Sequence, residues 1–97
     1  MPTTIHVIAR LRAKTGKEEA LKNALMALVA PSRREIHCYQ YDLLQSVADP
    51  REFCFVERWD DAAALDQHAQ SEHVKRAGTQ MADLVEAPPE IVRYHLV

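Results

Sequence analysis

Phe53-Cys54-Phe55-Val56-Glu57-Arg58-Trp59-Asp60-Asp61, followed by Ala62-Ala63-Ala64-Leu65-Asp66-Gln67-His68 and Ala69-Gln70-Ser71-Glu72-His73, is the stretch that decides the reading of this chain. Its first part is an apolar strand that also carries a carboxylate and an indole. The paired aspartates can cap a helix starting at Ala62, because an Asp side chain accepts from the free amides of a first turn. The helix ends near two histidines. Aromatic surface, a carboxylate and imidazoles set this close together are what a small pocket for an aromatic substrate requires.

Working outward, Glu52 to Trp59 is preceded by the turn signal Ala48-Asp49-Pro50-Arg51 and, before that, by Cys38 to Val47. There Tyr39, Tyr41 and Leu43 alternate with Gln40 and Asp42, so the two strands form a hairpin. Thr3 to Ala13 also alternates, with Ile5, Val7, Ala9, Leu11 and Ala13 on one side and His6, Ile8, Arg10 and Arg12 on the other. Lys17 to Ala30 carries Leu21, Ala24, Leu25, Leu28 and Val29 at helical spacing. Pro31 has no amide proton and is expected to stop or kink that helix at Ala30. Ser32 with Glu35 then reads as a cap for one further turn. Downstream, Ser71 is a second cap, ahead of a helix with Val74, Ala77, Met81, Leu84 and Val85 on one stripe. Pro88-Pro89 ends it, and Ile91 to Val97 is a closing strand.

The resulting order, strand-helix-strand-strand-helix pair-strand, predicts an α+β, ferredoxin-like βαββαβ fold: an antiparallel four-stranded sheet with helices on one face. At 97 residues the chain is expected to be one domain, residues 1–97. The uncovered face presents Ile8 with Val56 or Leu44 among Arg10, Arg12 and Arg58. Exposed apolar sheet surface of this kind finds a partner, so a homodimer packed through the sheet face is expected.

Composition removes several classes of function. Hydrophobic content of 47% and charged content of 27% are those of a soluble globular protein. The net charge of −2 is spread over 14 acids and 12 bases, without the basic stripe of a nucleic-acid binder. No apolar run approaches the ~20 residues of a membrane span. Met1-Pro2-Thr3-Thr4-Ile5-His6-Val7 lacks the basic start and apolar core of a secretory signal, which points to the cytoplasm. Cys38 and Cys54 have no partner at metal or framework spacing and read as buried free thiols.

With that order in place, Phe53 to Trp59, Ala64-Leu65 with His68, and Ser71 with His73 resemble the antibiotic biosynthesis monooxygenase domain. The pattern is an aromatic strand ending Glu-x-Trp, a helix with an apolar pair and His, then Ser-x-His. Ser32-Arg33 and Asp49-Pro50 extend the resemblance over nearly the whole chain. It implies a dimeric α+β barrel with a pocket between sheet and helices in each subunit. It also implies oxidation of phenolic, quinol or polyketide-like aromatics by dioxygen without a cofactor. Where the family commonly has Pro-Gly before the Cys, this chain has Ile36-His37. The haem-degrading branch relies on an Asn, a Trp and a His at positions occupied here by Ala9, His68 and Gly78, so haem degradation is not expected.

Dioxygen is a triplet and reacts slowly with closed-shell organics, but an aromatic deprotonated to an electron-rich anion can pass it one electron. The protein must then bind a flat ring, take a proton and exclude water. No Gly-rich phosphate cradle, flavin fingerprint or metal triad at motif spacing appears in the chain, so no cofactor and no metal are assigned. His68 is the expected catalytic base, since an imidazole near pKa ~6.5 accepts protons at neutral pH. Trp59, Tyr41, His73 and Glu57 are the expected substrate-binding residues. Spacing of five between His68 and His73, with no third ligand following, argues against a metal between them. Glu57, if inward, must be paired or protonated. Two alternatives compete: proton transfer or isomerisation on a small carbonyl compound, and a non-catalytic binding module of the same fold.

Overall fold

Alternation in the first strand is obeyed throughout: Val7, Ala9, Leu11 and Ala13 are buried while Arg10 and Arg12 are exposed. In the computed structural model, which describes residues 3–97, this strand is β1 (Ile5–Arg12). It is followed by α1 (Glu18–Met26), α2 (Val29–Arg33), β2 (Cys38–Gln45), β3 (Glu52–Trp59), α3 (Ala62–Ala69), α4 (Glu72–Met81) and β4 (Glu90–Tyr94). The strands form one antiparallel sheet in the order β2-β3-β1-β4, as the ferredoxin-like arrangement requires. Leu21 and Leu25 of α1 are fully buried against the inner face, and Phe53, Phe55 and Trp59 of β3 complete the core. Among the described residues no helix is long and apolar enough to cross a membrane.

Four local readings are corrected. The first helix ends at Met26, ahead of the proline, and Pro31 lies inside α2. A proline ring clashes with the carbonyl four residues back and offers that carbonyl no donor. The break therefore falls at Ala27-Leu28, where the Leu28 amide bonds the Leu25 carbonyl at 3.1 Å in a tighter turn. In the hairpin, a register shift between Cys38 and Gln40 adds one residue to β2. Tyr39 is thereby turned out, 55% exposed with its hydroxyl donating to Asp60 Oδ1 at 2.8 Å, while Tyr41 points into the core. The closing strand stops at Tyr94 rather than Val97, because β1 offers partners only as far as the His6–Tyr94 pair. Cys38 and Cys54 are free but only partly buried. Cys54 pairs with Arg10 on the face away from the helices.

Of the two aspartates, Asp61 is the cap, accepting from the Ala64 amide at 2.8 Å. Such a cap contributes about 1 kcal/mol and sets the phase of α3. Ala64 and Leu65, each one helical turn before His68, consequently share the buried side of α3 with it.

Candidate active site

The inner face of the sheet and the helices border a partly open cavity of about 180 Å³. An engineered apolar cavity of ~150 Å³ holds a benzene ring, so this space suits one substituted aromatic ring. Val7, Ala9 and Phe55 supply its sheet wall, Leu25, Leu65 and Val74 come from the helices, and Leu28 from the break between α1 and α2. Three of its lining residues have side chains that can ionise within reach of such a ring: Glu57, His68 and Arg93, with the Tyr41 phenol beside them.

His68 is buried, 6% exposed, because the phase of α3 turns it inward. Its ring packs on Trp59 at 4.5 Å between centroids and on Tyr41 at 5.4 Å. Nδ1 lies 2.6 Å from Glu35 Oε2. A carboxylate there accepts the Nδ1 proton and so fixes the neutral ring with its lone pair on Nε2. Among the described residues Nε2 has no hydrogen-bond partner. Burial holds the His68 pKa below its ordinary value, and the Glu35 carboxylate only partly offsets this.

Glu35 is the residue of the candidate site that spacing does not reveal. Read from sequence as a capping partner for Ser32, it lies instead in the connection from α2 to β2, and its Oε2 is shared by His68 and by His73 Nε2 at 3.0 Å. Ser32 is fully buried within α2. No third ligand follows the histidine pair at motif spacing, but the fold brings one from upstream: one imidazole nitrogen from each ring and a Glu35 carboxylate oxygen lie within 4.8 Å of one another. Two imidazoles and a carboxylate are a donor set that divalent zinc or iron accepts. Glu35 stands 33 residues before His68, and only the fold brings them together.

Glu57 faces Tyr41 across the β2–β3 ladder and Val7 across the β1–β3 ladder. It is 5% exposed and, among the described residues, has no arginine partner; the Trp59 indole donates to its Oε1 at 2.8 Å. Burial pushes its pKa up to about 7, opposed by the indole hydrogen bond and assisted by the Glu35 charge. Burial also raises the Tyr41 phenol, so it stays protonated at neutral pH. The sequence-expected residues therefore divide. Tyr41, Glu57 and His68 line the cavity. Trp59 lies behind them, 1% exposed, as the support of Glu57 and His68. His73 sits behind Glu35, where Ser71 Oγ, 3.3 Å from its ring, also donates to the His68 carbonyl at 2.6 Å.

A neutral buried carboxyl has a consequence for stability. The folded-state pKa of about 7 exceeds the ordinary 4.5, so between those values the folded state holds more protons than the unfolded chain. Stability from this group is full below pH ~4.5 and declines as pH rises towards ~7. Relative to Glu57→Gln, wild type is expected to lose on the order of 2–3 kcal/mol between pH 4.5 and pH 8 in urea unfolding. A pH-independent difference would mean that the carboxyl titrates alike in the folded and unfolded states.

A family model described as antibiotic biosynthesis monooxygenase matches residues 4–80. The chain is similar to a Mycobacterium tuberculosis protein named "Putative monooxygenase Rv0793", at 35% identity over 88 residues, 91% of this chain and 86% of that protein. Among solved structures, PA3566 from Pseudomonas aeruginosa superposes with a TM-score of 0.94 at 39% identity, over 100% of this chain and 97% of the other. SO0527 from Shewanella oneidensis gives 0.92 at 36% identity, over 99% and 93%.

Proposed function

The chain belongs to the antibiotic biosynthesis monooxygenase family, and from that premise we propose that it oxidises a small phenolic, quinol or polyketide-like aromatic with dioxygen, using no bound cofactor. One observation carries the reading: an imidazole with an unpartnered Nε2 on the wall of a ring-sized apolar cavity, its other nitrogen held by a carboxylate.

The ring enters between Tyr41 and the helix side chains, and its hydroxyl meets Nε2 of His68. Proton transfer to Nε2 leaves an aryloxide and an imidazolium that Glu35 stabilises through Nδ1. The anion passes one electron to dioxygen, the radical pair combines at a ring carbon that bears a hydrogen, and the His68 imidazolium returns its proton to the peroxide. Loss of water from that hydroperoxide gives a carbonyl. The substrate provides both electrons, one oxygen atom stays in the product and the other leaves in water. Glu57, neutral up to about pH 7, donates a hydrogen bond to a second ring oxygen, and the apolar walls exclude bulk water.

Purified protein with a panel of hydroquinones and an anthrone, followed in an oxygen electrode, tests this. Oxygen uptake at least tenfold above the protein-free rate is expected for at least one compound, with incorporation of one atom from labelled dioxygen. Turnover that persists without oxygen would instead point to proton transfer on a carbonyl compound.

The same reading includes a homodimer packed through the open sheet face. Ile8 pairs with Val56 on one side and with Val92 on the other, giving an apolar strip across three strands. Light scattering is expected to give twice the 11.0 kDa chain mass, and Val56→Lys should halve it. A monomer at micromolar concentration would remove the dimer.

A further inference from the structure

One register row crosses all four strands on the side facing the helices. Tyr41 is opposite Glu57, Glu57 opposite Val7, and Val7 opposite Arg93. All four residues line the cavity. The acid–base end, where Tyr41 and Glu57 lie close to His68, is separated from Arg93 by two strand spacings, on the order of 10 Å between backbones. Arg93 is the one cationic side chain on the cavity wall among the described residues. Its guanidinium is half exposed and bonds Asp66 Oδ1 of α3 at 2.8 Å. That aspartate is itself 65% exposed, and ion pairs of this kind exchange readily with another anion.

We propose that Arg93 is an anion subsite of this cavity, and that the natural substrate is a small aromatic carrying a carboxylate or comparable acidic group remote from its reacting oxygen. This rests on the functional reading above and adds the substrate class to it. The ring occupies the apolar middle of the row, its phenolic oxygen meets His68 and Glu57, and its acidic group takes the guanidinium from Asp66. A guanidinium offers a carboxylate two parallel N–H donors, a geometry that the cavity's other polar groups lack. Placed at the rim, it keeps the acidic group hydrated on one side, so no buried charge has to be compensated.

Binding of 4-hydroxybenzoate and its isosteric neutral amide, 4-hydroxybenzamide, measured anaerobically by calorimetry, tests the subsite apart from any oxidation. Wild type is expected to bind the acid about tenfold more tightly than the amide. Arg93→Gln should bring that ratio close to one without weakening the amide, and Asp66→Asn should raise affinity for the acid. Circular dichroism melting of both variants checks the fold. Equal affinities in wild type, a preference that survives Arg93→Gln, or no binding of either phenol at millimolar concentration would overturn the subsite. Failure of the oxygenase reading is separate: it appears as absent oxygen uptake while the acid preference remains. Oxygen uptake with neutral hydroquinones and no acid preference would remove the subsite alone.

Discussion

His68→Ala is expected to lower oxygen consumption with the best aromatic substrate by 10²- to 10⁴-fold, the range a positioned general base contributes. The loss should fall on kcat more than on KM, because the apolar walls that hold the ring remain. The physical reason lies in the environment of the ring. Burial disfavours the imidazolium in the resting site, so the base is free to accept at neutral pH, while Glu35 stands ready to stabilise the charge once the proton arrives. Glu35→Gln should therefore show a smaller defect than His68→Ala, together with a shift in the pH–rate profile. Removing the ring also leaves space beside Trp59 and Tyr41, so unfolding curves must accompany the kinetics. A well-folded His68→Ala protein with undiminished turnover would eliminate this residue as the base.

Trp59→Ala should produce the largest loss of stability of any substitution considered, about 3–5 kcal/mol. The side chain is among the largest that are fully buried. Its deletion removes apolar contacts with His68 and leaves a void next to the cavity. It also takes away the only hydrogen bond that the buried Glu57 carboxyl makes within the described residues, which carries a further penalty. In a chain of this length each kilocalorie shifts the melting midpoint by about 4–8 °C. The melting midpoint should thus fall by well over 10 °C, with a matching drop in the yield of folded protein. Trp59→Phe fills most of the volume but not the hydrogen bond, and should lie between the two. If Phe and Ala behaved alike, the indole N–H, rather than the packing, would be the dominant contribution.

What could be seen in the sequence was whatever depends on period or on near neighbours. Alternation from Ile5 to Ala13 identified the inward side of β1, and the paired aspartates marked the start of α3, but the direction of His68 followed only from the helix phase in the fold. The boundaries that went astray each depend on something outside the local window. Pro31 acts on a carbonyl four residues earlier, so the break precedes it. The extra residue at Cys38–Gln40 is set by pairing with β3, and alternation alone could not say that Tyr39 would turn out while Tyr41 turned in. For the site, proximity in sequence brought Glu57, Trp59 and His68 to attention. Arg93 and Glu35 were missed because only tertiary pairing brings Arg93 to the cavity wall and Glu35 to the back of His68. The one trace of Arg93 was its parity with Ile91 in the last strand, which puts a cation on the side that β1 buries.

The oxygen shared by two imidazoles has an implication for how the polypeptide is divided. Glu35 belongs to the first βαβ half, and His68 and His73 belong to the second. The halves are joined through the short hairpin turn around Asp49-Pro50. A chain severed there would yield one fragment with the acceptor and another with both rings, neither holding the proposed base complete. Mixing the two pieces should restore reactivity only as fast as they reassociate, making proton abstraction a reporter of correct docking between the halves.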